Sequence, residues 1–248
     1  AKMFGIDLPV NFNSPYKATS IIDFWRRWHI TLSRFLRDYL YIPLGGSRRG
    51  ESRRFLNLFV TMVLGGIWHG AGWTFLLWGV LHGTYLGINH LFVLFRKDRF
   101  RVPIILSRVV TMVCVVFAWV PFRASSLSAT LAIWRGMLGM NGLAIPNLPG
   151  AGWIASRLHL APQEMLFGRK DLLFLVASLA ICFCFPNSQE LLSEFHLGLD
   201  SPGYRAISSK PSWFTIRMRP RDAIFLGVLF GLGLRAISGY SEFIYFHF

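Results

Sequence analysis

Two histidines stand where an imidazole could do chemistry. His69 lies in GGIWHGAGW, inside a stretch from Phe55 to Phe95 that holds no Asp, Glu, Lys or Arg, between glycines that leave room for a ligand to approach the backbone. A charged imidazole there would be expensive to desolvate, so His69 is expected to be buried and neutral at pH 7, the form required of a general base. The competing reading is a structural histidine hydrogen-bonded to a neighbouring helix. His29 lies in RRWHITLS between Trp28 and Ile30, where a structural role is the simpler one. His82 is expected to make an interhelical hydrogen bond, and His90 shares its apolar run. His159, His196 and His247 fall outside the apolar runs and carry no signal alone.

Other site chemistries find no support. The apolar runs hold no paired carboxylates, no Cys and His cluster at metal spacing and no glycine-rich phosphate loop. No metal and no permanently bound cofactor is expected. Cys114, Cys182 and Cys184 all lie in apolar runs, where burial explains them better than reactivity.

The elements that must hold the histidines belong to a membrane protein. Of 248 residues, 53% are apolar and 15% charged, against roughly 25% charged in a soluble domain. Lys and Arg number 26 against 12 Asp and Glu, an excess that would suggest nucleic acid in a soluble chain. The apolar runs decide against that partner, and also against intrinsic disorder and a disulfide scaffold. The chain begins at Ala1 without a signal peptide and is expected to be the C-terminal part of a longer membrane protein.

Within the N-terminal stretch 1–54, residues 19–41 read as one amphipathic interfacial helix. Ile21, Phe24, Trp25, Trp28, Leu32, Phe35, Leu36 and Tyr39 follow the 3.6 period, with Arg26, Arg27, Arg34 and Arg37 supplying the basic side. Ser20 and Asp23 are spaced for a capping box, and Pro43, Gly45 and Gly46 stop the helix. Residues 55–95 then form paired membrane segments. The first is short, and Gly65, Gly66 and Gly70 are expected to loosen it so that it enters, breaks and turns beside the second. Further segments are expected at 102–120, interrupted by Arg108, at 172–185, and at 223–237, which carries Arg235. The fold class is therefore all-α, a polytopic membrane protein with about five membrane segments here.

Lys and Arg are dense in 48–54, 96–101 and 205–221 and sparse in 122–170. The positive-inside rule puts the dense loops in the cytoplasm and the C-terminus outside. The sparse loop is expected to hold a surface helix around Leu127 to Leu138.

Four segments, in order, carry a family resemblance: DFWRRWHITLSRFLRDYLYIPLGG (Asp23 to Gly46), GGIWHGAGWTFLLWGVLHG (Gly65 to Gly83), WVPFRA (Trp119 to Ala124) and SEFIYFHF (Ser241 to Phe248). Together they resemble the membrane-bound O-acyltransferase (MBOAT) superfamily, in its bacterial alginate O-acetyltransferase-like branch. The resemblance implies a multi-pass enzyme of the bacterial inner membrane. It would take an acyl group from a cytoplasmic thioester, acetyl-CoA, and pass it to an exported polysaccharide such as alginate with the help of an extracytoplasmic partner protein. It also implies that His69 is the catalytic histidine and His29 the second motif histidine. In the aromatic tail 241–248, Tyr245 has two readings. One is an interfacial anchor; the other, by resemblance to related acyl-export systems, is a hydroxyl that relays the acyl group. A saccharide or lipid-linked-substrate exporter and a non-catalytic scaffold are the competing functions.

Overall fold

Ser20 starts the first helix. Its extended backbone lets Oγ accept the Asp23 N–H at 3.0 Å, while the Asp23 carboxylate takes the Thr19 N–H and pairs with Arg27 one turn on at 2.8 Å. The return half of the expected capping box thus goes to Thr19. Helix α1 (Ile21–Arg27) ends at Trp28, α2 runs Ile30–Leu36, and a π-helical turn follows at Arg37–Tyr41. The single helix expected over 19–41 is therefore three pieces. His29 breaks it, with φ 42 and ψ 56 in the left-handed region, and its Nδ1 accepts the Leu32 N–H at 3.4 Å, so that it caps α2. The apolar stripe stays buried across the break at Ile21, Phe24, Trp25, Leu32 and Leu36, but Phe35 and Tyr39 are 51% and 69% exposed and pack on each other.

The computed structural model describes residues 4–6, 8–96, 102–141, 145–146, 162–163, 169–192, 216–217 and 219–236. These divide into two units, Ser14–Phe185 and Ala1–Asn13 with Pro186–Phe248. The first holds α1, α2, α3 (Glu51–Trp68), α4 (Trp73–Arg96), α5 (Ile104–Arg123), α6 (Leu127–Met137) and α7 (Arg169–Cys184). It also holds a parallel pair of two-residue strands, β1 (Ile145–Pro146) and β2 (Pro162–Gln163), the one sheet among the described residues. The second unit contains the short α8 (Ser188–Leu191), closed by a reciprocal Asn187–Glu190 capping box, and α9 (Pro220–Ala236). There Asn187 donates to Asn13 Oδ1 at 2.9 Å, and buried Asp222 accepts the Arg217 N–H at 2.9 Å.

Helices stand at all five places expected to enter the membrane. Among the described helices, α5 alone is long and apolar enough to cross one by length and composition. The α6 helix stands where the surface helix was expected, with Ser126 Oγ accepting the Ala129 N–H at its start. Cys182 and Cys184 are exposed and Cys114 is half-buried, against the expectation of burial for all three. The reason is that α7 turns most of its apolar side chains outward, Leu173 and Phe174 about 70% exposed, a surface suited to lipid rather than water.

The paired segments depart from expectation in an instructive way. Helix α3 does not break at Gly65 and Gly66 but continues to Trp68, because those glycines are packing sites. A Cβ on Gly79 would stand 2.6 Å from the Met62 carbonyl oxygen and 2.9 Å from Val63 Cα, and one on Gly83 would lie 2.9 Å from the Phe59 ring. Gly79 and Gly83 thus form a GxxxG stripe on which the α3 backbone lies, as small residues allow in membrane helices. Gly87, one turn further along α4, has open space around it. Gly87→Ala should therefore be neutral or stabilising by up to about 1 kcal/mol through helix propensity. Gly79→Ala should instead cost about 1–3 kcal/mol, because backbone atoms cannot yield as a flexible side chain does. Thermal unfolding of the detergent-solubilised protein measures both. Equal midpoints for the two variants would show that the close crossing is not required.

Candidate active site

His69 is the first residue after α3. Its N–H reaches the Gly66 carbonyl at 3.0 Å, so it prolongs the last turn of the helix and its side chain leaves at the start of the turn into α4. Four aromatic rings surround it. Trp68, Trp78 and Phe122 stand edge-on with centroids at 5.0, 5.2 and 5.0 Å, and Phe75 lies nearly parallel at 6.4 Å. Gly70 is part of this enclosure, since a Cβ there would meet the Phe75 ring at 2.6 Å. The imidazole is half-buried, rather than fully buried as the sequence led one to expect.

His29 reaches the same region from the break between α1 and α2. Trp28, its neighbour in the chain, packs on Trp119 of the α5 segment whose Phe122 packs on His69, although His29 and His69 are forty positions apart. A non-glycine residue held in the left-handed region costs about 1–3 kcal/mol and persists only where its surroundings impose it. Here the imposing groups include the Leu32 amide and the ring of Trp28, which stacks on Phe24 at 5.6 Å and packs on Trp119 at 5.6 Å. Burial lowers the pKa of the His29 imidazole and so favours its neutral form. A neutral ring that accepts at Nδ1 carries its proton on Nε2, which makes the far end of His29 a donor.

The WVPFRA segment completes the enclosure from α5. Phe122 packs on His69, Phe75 and Trp78, while Trp119 packs on Trp28 and Tyr16. Three motifs far apart in sequence therefore meet around His69. The roles of Trp78 and Phe122 in this wall were not legible in the sequence. Each carried no signal beyond its place in a motif. The remaining described histidines are structural ties. Trp25 Nε1 donates to His82 Nδ1 at 3.3 Å, the expected interhelical bond, and Arg54, which also pairs with Glu51, reaches His90 Nδ1 at 2.9 Å from α3. Of the arginines on the basic side, Arg27 pairs with Asp23 and Arg37 with Asp38. Tyr245 and His159, His196 and His247 lie outside the described residues.

A sequence profile of the membrane-bound O-acyltransferase family matches residues 1–134. Among curated proteins, the chain is 44% identical to a peptidoglycan O-acetyltransferase of Helicobacter pylori over 192 residues, covering 76% of this chain and 36% of that protein. It is 33% identical to a probable alginate O-acetylase AlgI of Pseudomonas putida over 251 aligned positions, covering 99% of this chain and 47% of the relative. A teichoic acid D-alanyltransferase of Bacillus subtilis is 29% identical over 102 residues, covering 38% of this chain and 26% of that protein. The chain thus spans less than half the length of each of these relatives. With more than half of its residues matching the family profile, including both histidine motifs, the chain belongs to the membrane-bound O-acyltransferase family.

Proposed function

We propose that this chain carries the catalytic histidines of a multi-pass enzyme of the bacterial inner membrane. The enzyme moves an acetyl group from cytoplasmic acetyl-CoA to an exported polysaccharide, with the C-terminus outside and an extracytoplasmic protein as partner. The observation that supports this reading most is the enclosure of His69 by Trp68, Phe75, Trp78 and Phe122, rings that two separate motifs supply, with Trp28, the neighbour of His29, packed on Trp119 of the same α5 segment. The relatives, a peptidoglycan O-acetyltransferase and a probable alginate O-acetylase, agree in O-acetylating a polysaccharide.

The chemistry divides between the two imidazoles. His69 accepts the proton of an acceptor hydroxyl as its oxygen attacks the thioester carbonyl. His29, with its proton on Nε2, donates to one of the partners and so orients or polarises it. Exposed Arg26 is a candidate to meet the phosphates of the coenzyme on the cytoplasmic side. Transfer of label from acetyl-CoA to polymer in membrane vesicles tests the reading, and transport of an unmodified saccharide without acetylation would replace it.

His29 is expected to separate chemistry from architecture. His29→Ala removes both the α2 cap and a residue type that tolerates the left-handed conformation, at a cost of about 2 kcal/mol. His29→Asn keeps both features, because asparagine caps helices and adopts that conformation readily. Acetyl transfer should fall in both variants, whereas the thermal midpoint should fall only in the alanine one. Full transfer by His29→Asn would reduce His29 to a helix cap.

A further inference from the structure

The indole of Trp78 is the unexplained polar group of this enclosure. Trp78 is 5% exposed, and its Nε1 is buried without a hydrogen-bond partner among the described residues. The indole nitrogen can only donate, and leaving a buried N–H unpaired costs about 1–3 kcal/mol. Trp25, edge-on to Trp78 at 5.8 Å, demonstrates how the fold satisfies such a group, since its own Nε1 donates to His82. Trp78 has no such acceptor, although His82, His69 and Phe122 surround its ring at 4.8, 5.2 and 5.5 Å. A phenylalanine would fill an aromatic wall without an orphaned donor. The close crossing at Gly79, the next residue, brings this indole beside the turn that carries His69.

We propose that Trp78 is a further catalytic residue, whose Nε1–H donates a hydrogen bond to the carbonyl oxygen of the bound acyl thioester and to the oxyanion that develops on it. This rests on the acyl-transfer reading above. As the acceptor oxygen bonds to the carbonyl carbon, His69 takes the hydroxyl proton and the carbonyl π pair moves onto oxygen. A preorganised donor at that oxygen stabilises the new charge. Collapse restores the carbonyl, breaks the C–S bond and releases a thiolate, which takes the proton back from His69. Tryptophan suits the task because it stays neutral and does not compete with His69 for the proton. Its ring is also held on several sides by aromatic neighbours.

The test deletes the N–H and keeps the ring. In membrane vesicles carrying the intact protein, Trp78→3-benzothienylalanine replaces the N–H by sulfur with nearly the same shape, and Trp78→Phe is the encoded counterpart. Apparent kcat for acetyl transfer from acetyl-CoA should fall about 10²- to 10³-fold, with apparent KM for acetyl-CoA and the thermal midpoint of the isostere near wild type. Trp78→Phe combined with His69→Ala should be little less active than His69→Ala alone, because the two groups serve one transition state. An isostere with wild-type kcat overturns the proposal, as does a loss that multiplies in full with that of His69→Ala. An active isostere beside an inactive His69→Ala removes Trp78 from the mechanism and leaves the acyl-transfer reading intact. Full activity of His69→Ala would overturn that reading, and this proposal with it.

Discussion

Replacing His69 by alanine in the intact protein is expected to lower acetyl transfer by about 10²- to 10⁴-fold while membrane insertion and folding persist. The size follows from loss of a general base, and the persistence follows from where the residue sits. His69 lies beyond the last residue of α3, and the packing of α3 on α4 is carried by Gly66, Gly79 and Gly83 rather than by the imidazole. What the variant loses structurally is a set of edge-on ring contacts in a half-buried place. The measurement is polymer acetylation and label transfer from acetyl-CoA at matched amounts of protein in the membrane. A scaffold that only recruits an extracytoplasmic transferase would keep its activity in this variant. Equal acetylation by variant and wild type would therefore remove His69 as the base and favour the scaffold.

Tyr245→Phe is expected to bring polymer acetylation to background, and release of coenzyme thiol down to the level of thioester hydrolysis by water, because the hydroxyl that receives the acyl group is gone. The phenol, with pKa about 10, can accept an acyl group and give it up again, so an O-acetyl-tyrosine can carry the group onward. Phenylalanine keeps the aromatic character of Phe243-Ile244-Tyr245-Phe246 and removes only the oxygen. An interfacial anchor would tolerate that change. Acetylation of polymer is read by base-labile acetate release, and thioester turnover by appearance of free coenzyme thiol. Wild-type polymer acetylation in this variant would leave the tail as an anchor or docking element.

Much was legible along the chain because membrane proteins write their architecture in composition. Apolar runs located α3, α4, α5, α7 and α9, since a helix needs only local sequence to form, and the RWH and WHG segments carried the resemblance to the family. The interhelical bond of His82 was also legible, because a polar ring on an apolar helix must find a partner there. The break at His29 was not. A 3.6-residue period survives a one-residue interruption when both short helices keep their apolar sides on one core, so the pattern alone could not reveal a side chain capping the second helix. Gly65 and Gly66 looked like weak points for the same reason. A missing Cβ reads as flexibility in one dimension, and only the approach of α4 turns it into a packing surface.

The sequence by itself determined which residues could act as acid or base, where the helices run and to which family the chain belongs. Only the tertiary structure decided that Trp28 and Trp119 bring the His29 break against α5, that Phe122 and Trp78 wall the site, and that among the described residues the indole N–H of Trp78 is left without a partner. Those facts depend on how closely α3 and α4 cross and on how α5 lies against them. That geometry is set by side-chain and backbone volumes summed over several helices, which no single stretch of sequence contains.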